Sequence, residues 1–402
     1  VESIPVAEGT ALRPKPAKRM AAFGEYLFDE IAGLKANVQA RGVEVIDLSV
    51  GDPDGAAPPE AVAELQRQAE QTANHRYPSY KGLPEFRTAV ARWYFDTFGV
   101  NLQPNDEVLS LIGSKGGVTH MPLTLVNPGD YVLLPDPAYA AYPAGVQLAE
   151  GRIYSMPLLE RNGYLPDLEA VPSEIARAAK LMILNYPNNP TTACATEAFF
   201  ADVVDFARQH GIFIAHDAPY NLMAFEGQRK LSFLETPGAK DVGIEFHSFS
   251  KLFNMTGWRV AFCAGNPELV SLLGTLKSNL DMGIFLPIQY AAIKALDSAR
   301  PFIENLCGVY QRRRDVLVEG LRQLGWRLQA PRATFYVWAP VPDGTDSWSF
   351  TCRLLEQTGV LVTPGVGFGP CGEGYIRVAL TVSEERLGQV IARLREVGFT
   401  YS

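Results

Sequence analysis

The chain has 402 residues, 47% of them hydrophobic and 20% charged, with a formal net charge of −8. That length exceeds one simple core and predicts two or three domains, while the acidic balance argues against a nucleic-acid backbone as main partner and gives no polybasic membrane anchor. Five widely spaced cysteines without a Cys-x-x-Cys pair, and five histidines without a His-x-x-x-His, indicate neither a disulfide framework nor a metal site.

The first twenty residues, "VESIPVAEGTALRPKPAKRM", are dotted with Pro and Lys and lack the apolar centre of a signal peptide. No apolar run reaches a bilayer span, so the expected location is the cytoplasm. Residues 21–42 have helical spacing and stop at Gly42. Residues 1–44 are therefore expected to form an arm and helix that pack with a small domain. Strand candidates follow at 43–50, 107–112, 131–135, 151–158, 180–185, 211–217, 243–249 and 260–265. From 107 onward they are nearly continuous apolar runs separated mostly by helical patterns such as "TEAFFADVVDFARQHG" (196–211). That texture predicts an α/β fold in which a mainly parallel sheet is flanked by helices. It covers a large domain over 45–290. Beyond it, one long helical stretch (287–324), then "FYVWAP", "GVLVTPG", "YIRVAL" and an amphipathic tail, predict a smaller α+β domain over 291–402.

In open α/β sheets ligands sit outside the carboxyl ends of the strands. Those ends carry a short inventory here. "EVLSLI" runs into Ser114 and Lys115, and "YVLLP" into a segment with Tyr139. "KLMILN" leads to Asn189, "GIFIAHD" ends on Asp217 with Tyr220 beyond, and "GIEFHSF" reaches Ser248, Ser250 and Lys251, with Arg259 further on. Each alone has a plainer reading, as a turn, a helix cap, core packing or a structural ion pair. Neither a dinucleotide G-x-G-x-x-G nor a Walker loop occurs, which disfavours a nicotinamide dehydrogenase. Together the groups describe one ligand. Serines and an arginine at a helix start suit a phosphate dianion. An enclosed lysine has a depressed pKa and bonds to aldehydes. A carboxylate can hold a proton on a pyridine nitrogen, and an aromatic face can cover a planar ring. Pyridoxal phosphate needs this set.

The chain resembles the fold-type I, class I/II pyridoxal-phosphate-dependent aminotransferases over nearly its whole length. The motifs run in order from "SVGDPD" (49–54) through "YPSYKGLPEFR" (77–87), "GSKGGV", "YPNNPTT", "HDAPY" and "SFSKLFNMTGWR" to "YIRVAL" (375–380). The branch it most resembles contains LL-diaminopimelate aminotransferase and the bacterial alanine- and aspartate-type enzymes. The resemblance implies a seven-stranded-type sheet and a ping-pong transfer from an L-amino acid to a 2-oxo acid such as 2-oxoglutarate. Lys251 would bond to the cofactor aldehyde and then carry the α-proton. Asp217 would pair with the ring nitrogen, Tyr220 and Asn189 with the ring's phenolic oxygen, and Tyr139 would stack on the ring. Ser114, Lys115, Ser248 and Arg259, with Ser250 in support, would hold the phosphate. Tyr77 would reach it from the neighbouring subunit of a homodimer. Arg377 would bind the substrate α-carboxylate, helped by Asn189 and the backbone at Gly51.

Three departures stand out: Gly116 where the branch often has Glu, Thr192 where the Asn-Pro-Thr turn usually has Gly, and Ala261 after "GWRV". On the same fold the rival readings are a Cβ–S β-lyase or a related elimination enzyme. A ligand-sensing regulator would need a DNA-binding domain, and the roughly 45 residues before "IDLSVGDPD" are too few for one.

Overall fold

A computed structural model describes residues 14–23 and 27–401. Most of the arm expected over residues 1–20 lies outside the described residues. Strand β1 (Ile46–Asp47) is followed by β2 (Val108–Leu111), β3 (Tyr131–Asp136), β4 (Arg152–Pro157), β5 (Ala179–Asn185), β6 (Phe213–Asp217), β7 (Gly243–Ser248) and β8 (Ala261–Gly265). The C-terminal part adds β9 (Tyr336–Pro340), β10 (Val360–Leu361), β11 (Thr363–Pro364) and β12 (Tyr375–Ala379).

Seven strands form one sheet in the order β2-β8-β7-β6-β5-β3-β4. Every neighbouring pair is parallel except the two made by β8, which runs antiparallel to both β7 and β2. The expected α/β architecture is therefore present. Its central strands are apolar throughout because helices cover both faces: all residues of β7 are buried, as is β5 apart from Lys180. The crossover from β5 to β6 shows how the sequence sets these lengths. Helix Glu197–His210 starts where Thr196 Oγ1 accepts a bond from Phe199 N (3.1 Å) and stops at Gly211, whose φ of 67° suits glycine.

Five expectations are corrected. The run 151–158 is not buried on both faces: β4 is the outer strand, covered on one edge only, and its residues are mostly exposed. The stretch 287–324 is two helices, Leu286–Asp297 and Ala299–Gln323, because Ser298 leaves helical geometry at ψ 14°. Of the first helical stretch, 21–42, Ala21 and Ala22 end a 3-10 turn, Lys18–Ala22, and the regular helix is Leu27–Ala40. Only Ile46–Asp47 of the run 43–50 forms a strand, and it pairs with β10 rather than with the large sheet. "GVLVTPG" likewise divides between β10 and β11, which belong to different sheets.

Beneath the strand ends lies a buried polar knot. Glu245 on β7 is fully buried, and its carboxylate meets His216 Nδ1 of β6 at 2.8 Å and His247 Nε2 at 2.7 Å. Tyr94 Oη (2.8 Å), Ser232 Oγ (2.7 Å) and the Phe233 N–H (2.7 Å) also donate to it. Burial by itself would push this carboxyl up, but His216 and His247 hold it well below the usual carboxylate range. Among the described residues no helix is long and apolar enough to cross a membrane, and no side-chain cluster could hold a metal ion.

Removing one partner from such a knot strands the others without water. Glu245→Ala is expected to lower the free energy of unfolding by about 3–5 kcal/mol, read from urea denaturation at neutral pH. A change within about 0.5 kcal/mol, the range of ordinary surface substitutions, would show that the knot does not brace the sheet.

Candidate active site

A cavity of about 500 Å³ opens at the carboxyl ends of the central strands and is closed on its other side by β9 and β12. Strand register builds its floor. Asn185 of β5 lies opposite Asp217 of β6, which lies opposite Phe246 of β7, so the polar residues ending these strands emerge at one level. The twelve expected residues Gly51, Ser114, Lys115, Tyr139, Asn189, Asp217, Tyr220, Ser248, Ser250, Lys251, Arg259 and Arg377 all line this one cavity.

Asp217 is 6% exposed. Its Oδ2 accepts from Tyr142 Oη at 2.8 Å, and its Oδ1 is buried without a partner. Burial pushes its carboxyl up to about 6, against the pull of Tyr142 and His216. Asn185 ties the floor together, donating from Nδ2 to Asp217 O (2.7 Å) and accepting at Oδ1 from Asn189 N (2.7 Å).

Lys251 sits on the short helix Phe249–Leu252 that begins as β7 ends, where Ser248 Oγ accepts from Ser250 N (3.2 Å). Its Nζ donates to Gly51 O at 2.5 Å and lies 5.6 Å from the centre of the Phe335 ring. Burial brings the amine down to about 8; Asp52 opposes that shift, and Arg377 and Arg259 add to it.

At one end of the cavity the twelve-residue helix Ser114–Leu125 presents its first turn, with Ser114 and Lys115. Gly113 before it has a φ of 76°, and a Cβ there would collide with the Arg259 guanidinium. The backbone, the arginine and the serines thus converge on one place suited to an anion. At the other end Arg377 is 4% exposed. It donates from Nη1 to Asn189 Oδ1 (2.8 Å) and from Nη2 to Ser49 O (2.6 Å), while its Nε has no partner. The guanidinium lies between the rings of Tyr336 (4.4 Å) and Phe368 (4.7 Å). It makes no ion pair with a carboxylate among the described residues.

Tyr77 is the one expected residue that does not line this cavity; its side chain is 87% exposed. Sequence reasoning missed Tyr142, Tyr336, Asp52, Asn185 and Thr256. For Tyr142 a signal existed, a second tyrosine three residues after Tyr139 on the same segment; for Tyr336 there was none, since β9 reads as an ordinary strand.

Residues 43–394 match the sequence profile of the family described as aminotransferase class I and II. The chain belongs to that family. It is 53% identical over 379 residues to an LL-diaminopimelate aminotransferase of Desulforudis audaxviator, covering 94% of this chain and 97% of the relative. A second LL-diaminopimelate aminotransferase, from Syntrophobacter fumaroxidans, is 49% identical over 95% of this chain and 99% of its own. Among solved structures, substrate-bound BacF from Bacillus subtilis superimposes with a TM-score of 0.93 at 35% identity, covering 97% of this chain and 99% of BacF.

This aminotransferase uses pyridoxal 5'-phosphate. Its residues fit that group on observations of its own: the unpartnered Asp217 Oδ1 at the cavity floor, an amine depressed to about 8 in the same cavity, and a helix start lined with hydroxyls and an arginine.

Asp217 also makes a test possible without cofactor. Its folded pKa of about 6 lies above the ordinary 3.8, so its charged form is penalised in the folded chain. The penalty is absent below the unfolded value, grows as pH rises and is complete above the folded one. Asp217→Asn should therefore stabilise the cofactor-free aminotransferase at pH 8, by up to about 3 kcal/mol. The gain should fade as pH falls from about 6 towards 4, as urea unfolding at a series of pH values would show. A variant destabilised equally at every pH would contradict this assignment.

Proposed function

We propose that this aminotransferase takes its amino group from a diamino dicarboxylic acid of the LL-diaminopimelate type. It passes the group to a 2-oxo acid such as 2-oxoglutarate in two half-reactions at one site. The observation that carries the carboxylate part is Arg377, a buried guanidinium whose described partners are all neutral. Such a group favours an anion from the ligand, and it can serve both substrates because each carries a carboxylate beside the reacting carbon. The donor class rests on the relatives, whose printed names agree at about half identity over nearly the whole chain. Those names also favour transfer over elimination on the same fold.

When bound, the cofactor supplies an electrophilic aldehyde carbon and a ring that takes up the electron pair left at the substrate's α-carbon. The chain's own residues would do the rest. Ser114, the backbone at Lys115, Ser248, Ser250 and Arg259 would hold the phosphate. Tyr139 would cover the ring, and Asp217 Oδ1 would keep the ring nitrogen protonated. Tyr220 and Asn189 would serve the phenolic oxygen. The Lys251 amine, at about 8, is partly neutral near that pH; it would hold the cofactor at its aldehyde carbon and, when free, would accept the α-proton. Arg377, Asn189 and the backbone at Gly51 orient the carboxylate. Gly116 leaves open space about its Cα, and Asp52 is an exposed carboxylate on the cavity wall that could meet the donor's distal ammonium.

A homodimer completes this reading. Tyr77, Met282 and Phe285 are exposed apolar groups, and Phe285 lies 6.0 Å from His75, two residues before Tyr77. A second copy covering them would bring Tyr77 to its partner's phosphate site. The cytoplasm is the compartment this reading assigns.

Purified holoenzyme should show parallel double-reciprocal lines with LL-diaminopimelate and 2-oxoglutarate, and should prefer that donor to alanine, aspartate and aromatic amino acids. Arg377→Lys should raise KM for donor and acceptor alike, roughly 10–100-fold, for loss of a charge-assisted pair. Equal use of all donors, or release of ammonia without an acceptor, would contradict the proposal.

A further inference from the structure

We propose that Tyr336, at the start of β9, is a positioning residue that couples the substrate-carboxylate pocket to the phenol of Tyr220 and to the backbone that holds Lys251. This goes beyond the reading above and rests on its roles for Arg377 and Tyr220.

Three contacts converge on this one side chain, which is 2% exposed. Its ring lies under the Arg377 guanidinium, 4.4 Å from centroid to Cζ, and carries that arginine from one side while Phe368 carries it from the other. Its hydroxyl lies 3.1 Å from Tyr220 Oη, with the two rings at a steep angle. The same hydroxyl fills the space where Gly51 would otherwise bear a Cβ. Gly51 O in turn accepts the Lys251 amine at 2.5 Å. Glycine at 51 is thus explained by a tyrosine 285 positions away.

The two halves of the side chain do different work. The ring is a flat, buried plate against a cation, which fixes the guanidinium plane and favours its charge. The hydroxyl has one proton to give. Tyr220, if it donates to the cofactor's oxygen, leaves its own oxygen as an acceptor, and Tyr336 is placed to donate to it. Burial holds the Tyr220 phenol well above the ordinary range, so it keeps its proton and stays a donor. A phenol that receives a hydrogen bond donates a stronger one, so Tyr336 would strengthen a bond that it does not itself make to the cofactor.

Two variants separate these roles. Tyr336→Phe keeps the plate and removes the hydroxyl; Tyr336→Leu removes both. In the holoenzyme, Tyr336→Phe should leave calorimetric binding of glutarate, a non-reacting dicarboxylate, within about twofold of wild type. It should also move the absorbance titration of the bound cofactor to higher pH. A weaker donor leaves more negative charge on the cofactor's oxygen, which holds the neighbouring proton more tightly. Tyr336→Leu should show the same spectral shift and bind glutarate about tenfold or more weakly, in line with a desolvated cation–π contact. An unshifted titration in Tyr336→Phe overturns the coupling. Equal glutarate binding by Phe and Leu variants overturns the role of the ring. If Arg377→Lys binds glutarate as wild type does, the carboxylate pocket itself is wrong, and that failure is distinct from either of these.

Discussion

Everything in the site depends on the shared register of three parallel strands. Because β5, β6 and β7 pair without slippage at their carboxyl ends, Asn185, Asp217 and Ser248 come to one edge together. A one-residue shift in any of them would turn its terminal polar group to the opposite face. The buried Glu245 guards against that shift. It bonds to His216, the residue before Asp217, and to the loop at Ser232 and Phe233, so β6 and β7 are tied by a charge that has no other place to go. A buried ion of this kind contributes little as a net attraction but strongly disfavours any arrangement that leaves it unpaired.

On that frame the chain holds groups whose preferences are left unmet. Asp217 keeps one oxygen without a partner, Arg377 is buried among neutral acceptors, and the Lys251 amine is desolvated to about 8. Each arrangement is unfavourable for the chain alone, since burial penalises charge that is not paired. On the proposed reading, each would become favourable once a ligand brings the missing charge: a ring cation at Asp217, a carboxylate at Arg377, and a phosphate at the start of helix Ser114–Leu125. On that reading the site is a negative imprint of a zwitterionic reaction, in which the unpaired groups carry more of the function than the paired ones.

The fold and much of the site were legible in the chain because parallel strands buried on both faces must be apolar along their length and can turn polar only at their ends. Asp217 ending "GIFIAHD" and Lys251 beyond "GIEFHSF" stood out for that reason. Tyr142 and Tyr336 did not, because an aromatic in a packed segment looks the same whether its hydroxyl serves a cavity group or the core. The division of 287–324 into two helices escaped notice because Ser298 is no strong breaker. The exposure of β4 depends on strand order, which no local pattern reveals. The Glu245 knot was invisible for a related reason: its partners lie on β6, β7, a loop and a distant helix.

The central claim is that Lys251 carries the cofactor within this ring of unpaired charges. The most direct measurement is borohydride reduction of the holoenzyme, followed by digestion and mass spectrometry. The account predicts a reduced pyridoxyl phosphate on Lys251 and its loss of labelling when excess amino donor is added first. Labelling confined to another lysine, or none at all in protein that has bound the cofactor, would contradict it.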